Sequence, residues 1–162
     1  MKTIPLTQGL VAKVDDDDYE ELSKYKWYAV GHKGQEYAAR CGKRNETHHI
    51  RMHRVLLHAP NGLQVDHING DRLDNRKSNL RLATQAENSR NRCKFPKPAL
   101  SRYKGVTYHK RDKVWQASIK VSGKQIYIGS FCTEKEAAAA YNEAALRYHG
   151  PYARLNVIKE EN

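Results

Sequence analysis

The chain has 162 residues, with 29 Lys and Arg against 18 Asp and Glu, a net charge of +11 at pH 7, and 39% apolar residues. At about 100 to 200 residues per domain, this length holds one ordinary domain or two small ones, neither with a large core. No stretch approaches the ~20 apolar residues of a membrane span, no signal-peptide run follows Lys2, and Cys41, Cys93 and Cys132 make neither a C-x-x-C pair nor an even set. Membrane spans, disulfide frameworks and Cys-type zinc ribbons are disfavoured, the cysteines read as free thiols, and a soluble cytoplasmic protein is expected.

From the N-terminus, Ile4 to Val14 and Trp27 to Val30 read as strands, and Glu36 to Cys41 as another. Asp15 to Asp18 opens a short helix over Tyr19 to Tyr25. Contiguous aspartates cannot all converge on one ion, so the tetrad is read as a helix cap rather than a metal site. Met52, Val55 and Leu56 fall at i, i+3 and i+4 and predict a short helix carrying His53 and Arg54.

Leu63 to Ile68 alternates apolar and polar residues like a half-buried strand, and Asn69-Gly70-Asp71 breaks it. A polar loop runs to Asn79, Leu80-Arg81-Leu82 alternates again, and Thr84-Gln-Ala-Glu87 is a capping box opening a helix that carries Asn88. This strand, loop, strand, helix unit is too small to bury its own core, so the N-terminal strands or a bound metal must support it. Asp66 and His67 end its first strand, and Asn88 sits on a helix that can fold back over the hairpin. Phosphodiester hydrolysis needs a base to take a proton from water and a hard cation to stabilise charge on phosphorus and the leaving oxygen. His67 supplies the base, and the Asp66 and Asn88 oxygens suit one magnesium or manganese ion, which accepts few protein ligands once phosphate is present.

Most of the positive charge lies further on: residues 89 to 162 hold 15 basic and 6 acidic residues. Six cations without an acid, Arg90, Arg92, Lys94, Lys97, Arg102 and Lys104, form a stretch suited to a phosphate backbone. Pro96 and Pro98 keep that stretch from becoming a helix. Val114 to Val121 then places Trp115, Ala117, Ile119 and Val121 on one face, Ser122-Gly123 turns, and Lys124 to Gly129 points Ile126 and Ile128 inward. Thr133 to Glu136 is a second capping box, opening an Ala-rich helix to His149 with a stripe of Ala137, Ala140, Tyr141, Ala144, Ala145 and Tyr148. Such a helix lies close on the sheet and leaves the opposite face open, a ribbon that fits the DNA major groove.

The run from Met52 to Asn91, MHRVLLHAPNGLQVDHINGDRLDNRKSNLRLATQAENSRN, resembles the HNH homing-type endonucleases common in phage genomes, in the subgroup where the final His is Asn. Ile4-Pro-Leu-Thr and Lys24-Tyr-Lys-Trp-Tyr resemble the strand-rich prelude of relatives. The resemblance implies a ββα-metal fold with His67 as general base and Asp66 and Asn88 holding the ion. It also implies that Asn79 is the middle Asn, bracing the loop and orienting the base, with Asn75 the competing candidate. His49 and His53, four apart, could clamp zinc from one helix face with His48 and His58 nearby, but nothing completes that set. They read as structural or DNA-facing, His53 being nearest the active site.

Tyr103-Lys-Gly-Val, Trp115-Gln-Ala-Ser-Ile, Ile128-Gly-Ser-Phe, Glu136-Ala-Ala-Ala-Ala-Tyr and Leu155-Asn resemble the apetala/ethylene-response-factor DNA-binding domain, covered by residues 102 to 158. The groove-facing positions this implies are Lys104, Lys120, Gln125, Tyr127 and Ser130, with Thr107, His109, Lys110 and Arg111 in the first-strand neighbourhood. Lys, Gln and Tyr replace the usual Arg and Trp, so the plant recognition sequence does not carry over. The expected protein is α+β: a support region at 1–51, an HNH module at 52–92, a basic linker at 93–101 and a DNA-binding sheet domain at 102–158. Its expected function is site-directed hydrolysis of double-stranded DNA with one magnesium or manganese ion, as a monomer, in the cytoplasm of a bacterial host if phage-encoded. The alternative is a DNA-binding regulator with an inactive nuclease head.

Overall fold

In the computed structural model, which describes residues 1–42, 49–92 and 101–159, short antiparallel strands and four α-helices divide between two units, Met1–Asn88 and Ser89–Asn162. His48, Cys93, Lys94, Pro96, Lys97 and Pro98 lie outside the described residues. No helix among the described residues is long and apolar enough to cross a membrane.

The first unit starts with a hairpin of β1 (Lys2–Pro5) and β2 (Val11–Val14), whose alternation buries Ile4, Ala12 and Val14. Helix α1 (Asp16–Ser23) follows, with Asp16, Asp17 and Asp18 in its first turn. The tetrad does more than cap. Asp15, at the cap position, makes no capping bond; it accepts the Lys77 backbone N–H at 2.8 Å, and Asp18 accepts Lys77 Nζ at 2.6 Å. Lys77 therefore draws the tetrad toward the loop between the later strands, because a backbone N–H and an ammonium together offer more than one helix end.

A three-stranded antiparallel sheet joins β3 (Tyr28–Val30), β4 (Tyr37–Cys41) and β5 (His49–Arg51), and α2 (Met52–Leu56) continues directly from β5. His49 thus belongs to a strand and His53 to a helix, so the four-residue spacing does not place them on one helix face. The hairpin of β6 (Gln64–His67) and β7 (Leu80–Ala83) pairs Gln64 with Ala83, Asp66 with Arg81 and His67 with Leu80. Helix α3 (Gln85–Arg90) opens with the capping box: Thr84 N–H donates to Glu87 at 2.8 Å, and Glu87 N–H donates to Thr84 Oγ1 at 3.3 Å.

One apolar core serves the whole unit, with Ile4, Leu22, Trp27 and Ala38 packed with Met52, Leu56, Val65 and Leu80. The hairpin and its helix are too few residues to bury a core alone, and the N-terminal strands supply the missing side. The loop between β6 and β7 is stitched to β2, where Lys13 N–H donates to Leu73 O and Asn75 N–H to Lys13 O, both at 2.8 Å. Beside this bridge, the Asp74 carboxyl is buried and held below its ordinary pKa, chiefly by hydrogen bonds from the Arg76 guanidinium at 2.8 and 2.6 Å.

The second unit is an antiparallel sheet of β8 (Val106–His109), β9 (Val114–Val121) and β10 (Lys124–Phe131), with β9 in the middle, and α4 (Glu134–His149) against one face. The Thr133 and Glu136 capping box starts α4. The buried line on α4 is Ala137, Ala138, Tyr141, Ala145 and His149, while Tyr148 of the expected stripe is 40% exposed. The contact follows the i, i+4 ridge, which rotates Tyr148 out and His149 in. Asn156 pins the C-terminal segment: its side chain accepts from Lys104 N–H at 2.7 Å and donates to Lys104 O at 3.0 Å, and its backbone exchanges two bonds with Asn142.

A register shift between Tyr127 and Gly129 sets the open face of the sheet. Strict alternation from Tyr127 would turn Ser130 toward α4; the bulge restores it to the face of Tyr127, and Tyr127 Oη lies 2.7 Å from Ser130 Oγ.

Gly105 has φ +75°, and a Cβ there would sit 2.6 Å from Ser118 O and overlap the Tyr141 ring. Gly105→Ala is therefore expected to destabilise the second unit by about 2–4 kcal/mol, combining overpacking with a left-handed backbone. In thermal denaturation followed by circular dichroism, the transition of that unit should fall by more than about 8 °C. An unchanged midpoint would mean that α4 does not approach the sheet this closely.

Candidate functional site

The site is built on the end of β6. Successive residues of a strand face opposite ways, so Gln64 and Asp66 share one face and His67 takes the other. On the first face, Arg81 stands opposite Asp66 in the ladder, and its Nε and Nη2 both donate to Asp66 Oδ2, at 2.8 and 2.6 Å. Asn88 reaches the same face from α3: its Nδ2 donates to Gln64 Oε1 at 2.5 Å, two residues from Asp66. A carboxylate and a carboxamide thus share one strand face. These are hard oxygen donors, suited to an ion that keeps several waters and accepts phosphate oxygens. No group of three or more His, Cys, Asp and Glu that could hold a metal ion occurs among the described residues.

On the other face, His67 is 5% exposed and meets two rings. Its ring centroid lies 5.2 Å from that of His53, edge-on at 89°, and 6.1 Å from that of Tyr37; Tyr37 and His53 are themselves 5.2 Å apart. Burial is the main cause that lowers the His67 pKa below its ordinary value, and Asn75, Asp66 and Asp71 work against it. The imidazole is therefore neutral at neutral pH and able to take a proton. His53 is pushed down to about 3, first by burial, then by His67 and by the charges of Arg51, Arg54 and Arg72. Its Nδ1 is buried without a hydrogen-bond partner.

Loop bracing and imidazole contact fall to different asparagines. Asn79 Oδ1 accepts Asn69 N–H at 3.0 Å and its Nδ2 donates to Asp74 O at 2.8 Å, closing the loop that leaves His67. The side chain that touches the His67 imidazole and favours its protonated form is Asn75, with its Oδ1 short of full hydrogen-bond geometry. Both roles expected of Asn79 do not meet in one residue, because its two amide ends are spent on backbone groups. His49 Nδ1 lies 2.6 Å from Tyr28 Oη, and His58 is exposed in a left-handed turn after α2.

In the second unit, the open sheet face carries Lys120, Gln125, Tyr127 and Ser130. Gln125 Nε2 donates to Ser118 Oγ at 2.9 Å, and Tyr127 is 59% exposed. Lys104, expected beside them, is drawn away: its ammonium donates to Arg90 O at 2.6 Å and Arg92 O at 2.9 Å. Arg90 ends α3, and a cation there satisfies carbonyls that a helix terminus leaves open. Arg102 is exposed over the Tyr103 ring at 5.2 Å, while Arg90 is half-buried and Arg92 exposed.

Reading by residue type missed Arg81, Gln64, Tyr37, Arg51 and Arg72. Arg81 and Gln64 follow from the hairpin register once it is known. Tyr37 and the two arginines come from other elements and carry no local signal.

A family model described as HNH endonuclease matches residues 58–90, and one described as AP2 domain matches residues 101–151. An uncharacterised HNH endonuclease of Acanthamoeba polyphaga mimivirus is 34% identical over 157 residues, covering 93% of this chain and 77% of that protein. Protein 3.8 of Escherichia phage T7 is 36% identical over 96 residues, 59% of this chain and 78% of its own length. An AP2-like ethylene-responsive transcription factor of Arabidopsis thaliana is 40% identical over 63 residues, 39% of this chain but only 13% of the plant protein.

The lowered pKa of His53 gives a stability prediction. A buried imidazole whose folded pKa is about 3 against 6.5 ordinarily binds fewer protons folded than unfolded, so stability falls as pH drops from 6.5 toward 3. The cost from this group is at most about 1.4 kcal/mol per pH unit. His53→Phe, which keeps an aromatic ring without a titrating group, should flatten that part of the acid slope in urea denaturation at stepped pH; an identical slope would contradict the burial.

Proposed function

Because this chain belongs to the HNH endonuclease family, we propose that it is a homing-type DNA endonuclease that hydrolyses phosphodiester bonds in double-stranded DNA with one divalent ion, magnesium or manganese. The observation that carries the reading is the end of β6, where Asp66 faces Arg81 and the Asn88-bearing helix while His67 stands next in the chain as a neutral imidazole. Asp66 and Asn88 would hold the ion, which would supply positive charge to the phosphoryl oxygens and the leaving oxygen. His67 accepts a proton from the attacking water. As the new P–O bond forms in line, the P–O3′ bond breaks and the departing O3′ takes a proton from solvent water, leaving 5′-phosphate and 3′-hydroxyl ends. Burial keeps His67 unprotonated for that step, Asn75 favours the imidazolium that results, and Asn79 holds the loop from which the base projects.

The second unit would select the site. Lys120, Gln125, Tyr127 and Ser130 form a polar face on a twisted antiparallel sheet, and such a ribbon enters a major groove about 12 Å wide. Arg90, Arg92, Lys94 and Arg102 would contact phosphates, while Lys104 holds the Arg90 and Arg92 carbonyls. The protein would act as a monomer in the cytoplasm, that of a bacterial host if it is phage-encoded, with residues 93–101 joining a cutting head to a positioning tail.

A second reading, a DNA-binding regulator with an inactive head, draws on the Arg81 guanidinium bonded to Asp66 Oδ2, where an ion would compete. Plasmid relaxation with magnesium, with and without chelator, separates the two readings, since a pure binder never relaxes supercoiled DNA.

His67→Ala and Asp66→Asn should each slow single-turnover cleavage by about 10²–10⁴-fold while duplex affinity, by fluorescence anisotropy, stays within about threefold of wild type. Wild-type cutting by His67→Ala would overturn the assignment. Labelled product ends that a ligase cannot rejoin would contradict the stated bond cleavage.

A further inference from the structure

Two arginines converge on the ring that backs the catalytic imidazole. Tyr37, on β4, packs against His53 and His67. Arg72, from the loop after β6, holds its guanidinium carbon 4.6 Å from the Tyr37 ring centroid, and Arg51, at the end of β5, holds its own at 5.1 Å from the same centroid. The ladder explains the second contact: Arg51 pairs with Ala39, two residues from Tyr37 on the same face, a diagonal reach that a long side chain spans. Neither arginine forms an ion pair with a carboxylate among the described residues. One Arg72 nitrogen, Nη1, donates to Gln35 O at 2.9 Å, and Arg51 is exposed.

A guanidinium lying on an aromatic face has that face desolvated and its orientation restricted, while its N–H donors lie in its own plane, directed away from the ring. Placing two such cations on one tyrosine costs mutual repulsion that no direct ion pair among the described residues offsets. An anion with two or more charges in register relieves it, and a nucleic-acid strand presents phosphates at regular spacing. Arg54 differs, because its guanidinium is spent on the carbonyls of Ala59, Pro60 and Leu63 and shapes the turn after α2. The geometry points to Arg51 and Arg72, stacked on Tyr37, as a phosphate clamp that holds the DNA backbone beside the phosphodiester whose attacking water gives its proton to His67. This inference rests on the nuclease reading for its choice of strand, but it is tested through binding.

The test uses the full chain and a labelled duplex oligonucleotide, with affinity measured by anisotropy in chelator across a series of salt concentrations. Arg51→Gln and Arg72→Gln should each lower the slope of log affinity against log salt by about 0.9, and the double variant by about 1.8, as each loses one phosphate contact. Arg51→Lys keeps the charge and the slope but binds more weakly, since an ammonium lacks the planar fork. In single-turnover cleavage with magnesium, the enzyme concentration for half-maximal rate should rise at least about fivefold for the double variant. An unchanged slope for Arg51→Gln, whose exposed position leaves folding intact by circular dichroism, overturns the clamp even if Arg72→Gln fails to fold. Loss of slope in a wild-type chain that never cuts would keep the clamp and sink the nuclease reading. Cutting by wild type with slopes unmoved in the variants would do the reverse.

Discussion

The pairing of Asp66 with Arg81 across the β6–β7 ladder is the contact on which the site depends. It fixes the register of a hairpin too short to fix itself, and register in a strand decides every facing at once. A slip of one residue would put Asp66 among the rings of Tyr37 and His53 and turn His67 toward α3. The pair is largely buried, with the side chains 5% and 18% exposed, and losing one partner of such a pair costs about 3–5 kcal/mol because the other charge stays behind. The same guanidinium occupies Asp66 Oδ2, so a cation held by Asp66 would have to share or displace that contact.

Around this contact, several polar side chains of the first unit are spent on backbone groups and others pair with one another, as Arg76 does with Asp74. Asn79 spends both amide ends on Asn69 and Asp74 backbone groups, Arg54 spends its guanidinium on three carbonyls, and Lys77 gathers two aspartates of the N-terminal tetrad. The Asn79 and Lys77 bonds hold the irregular loop of residues 68–79 in shape, and those of Arg54 hold the turn after α2. Buried polar groups that are fully bonded in this way rigidify a segment. The imidazoles of His53 and His67 pack edge-on against each other and lie against Tyr37, and burial disfavours their charged forms. The second unit rests on another device, close approach: alanines on α4 and Gly105 under Tyr141 let helix and sheet meet, and the bulge in β10 aims Ser130 with Tyr127.

Much of the fold was legible beforehand. Strand within Ile4 to Val14 and at Trp27 to Val30 and Glu36 to Cys41, the α2 turn, the hairpin around Asp66, both capping boxes, Val114 to Val121, Lys124 to Gly129 and the helix to His149 follow from periodicity and turn chemistry; the break at Thr7–Gly9, the strand His49–Arg51 and the end of β10 past its bulge do not. Departures occur where a distant partner outbid a local one. Asp15 leaves its cap for Lys77, and Lys104 leaves the sheet face for the end of α3. On α4, Tyr148 yields to His149 because the ridge in contact was chosen by the sheet. His49 and His53 separate because β5 ends between them, at Arg51, a boundary that spacing alone does not mark.

What the amino-acid order determined alone is local: which segments are strands or helices, where helices start, and which residue types able to do chemistry stand next to each other, as Asp66 and His67 do. Those properties depend on neighbours within a few residues, through backbone preference and alternation of burial. Only the tertiary structure decided that Arg81 faces Asp66, that Asn88 arrives through Gln64, that Asn75 rather than Asn79 touches the imidazole, and that Tyr37 gathers Arg51 and Arg72. Each of these joins elements far apart in the chain, and their meeting is set by the shared core and the strand register, which no local window contains.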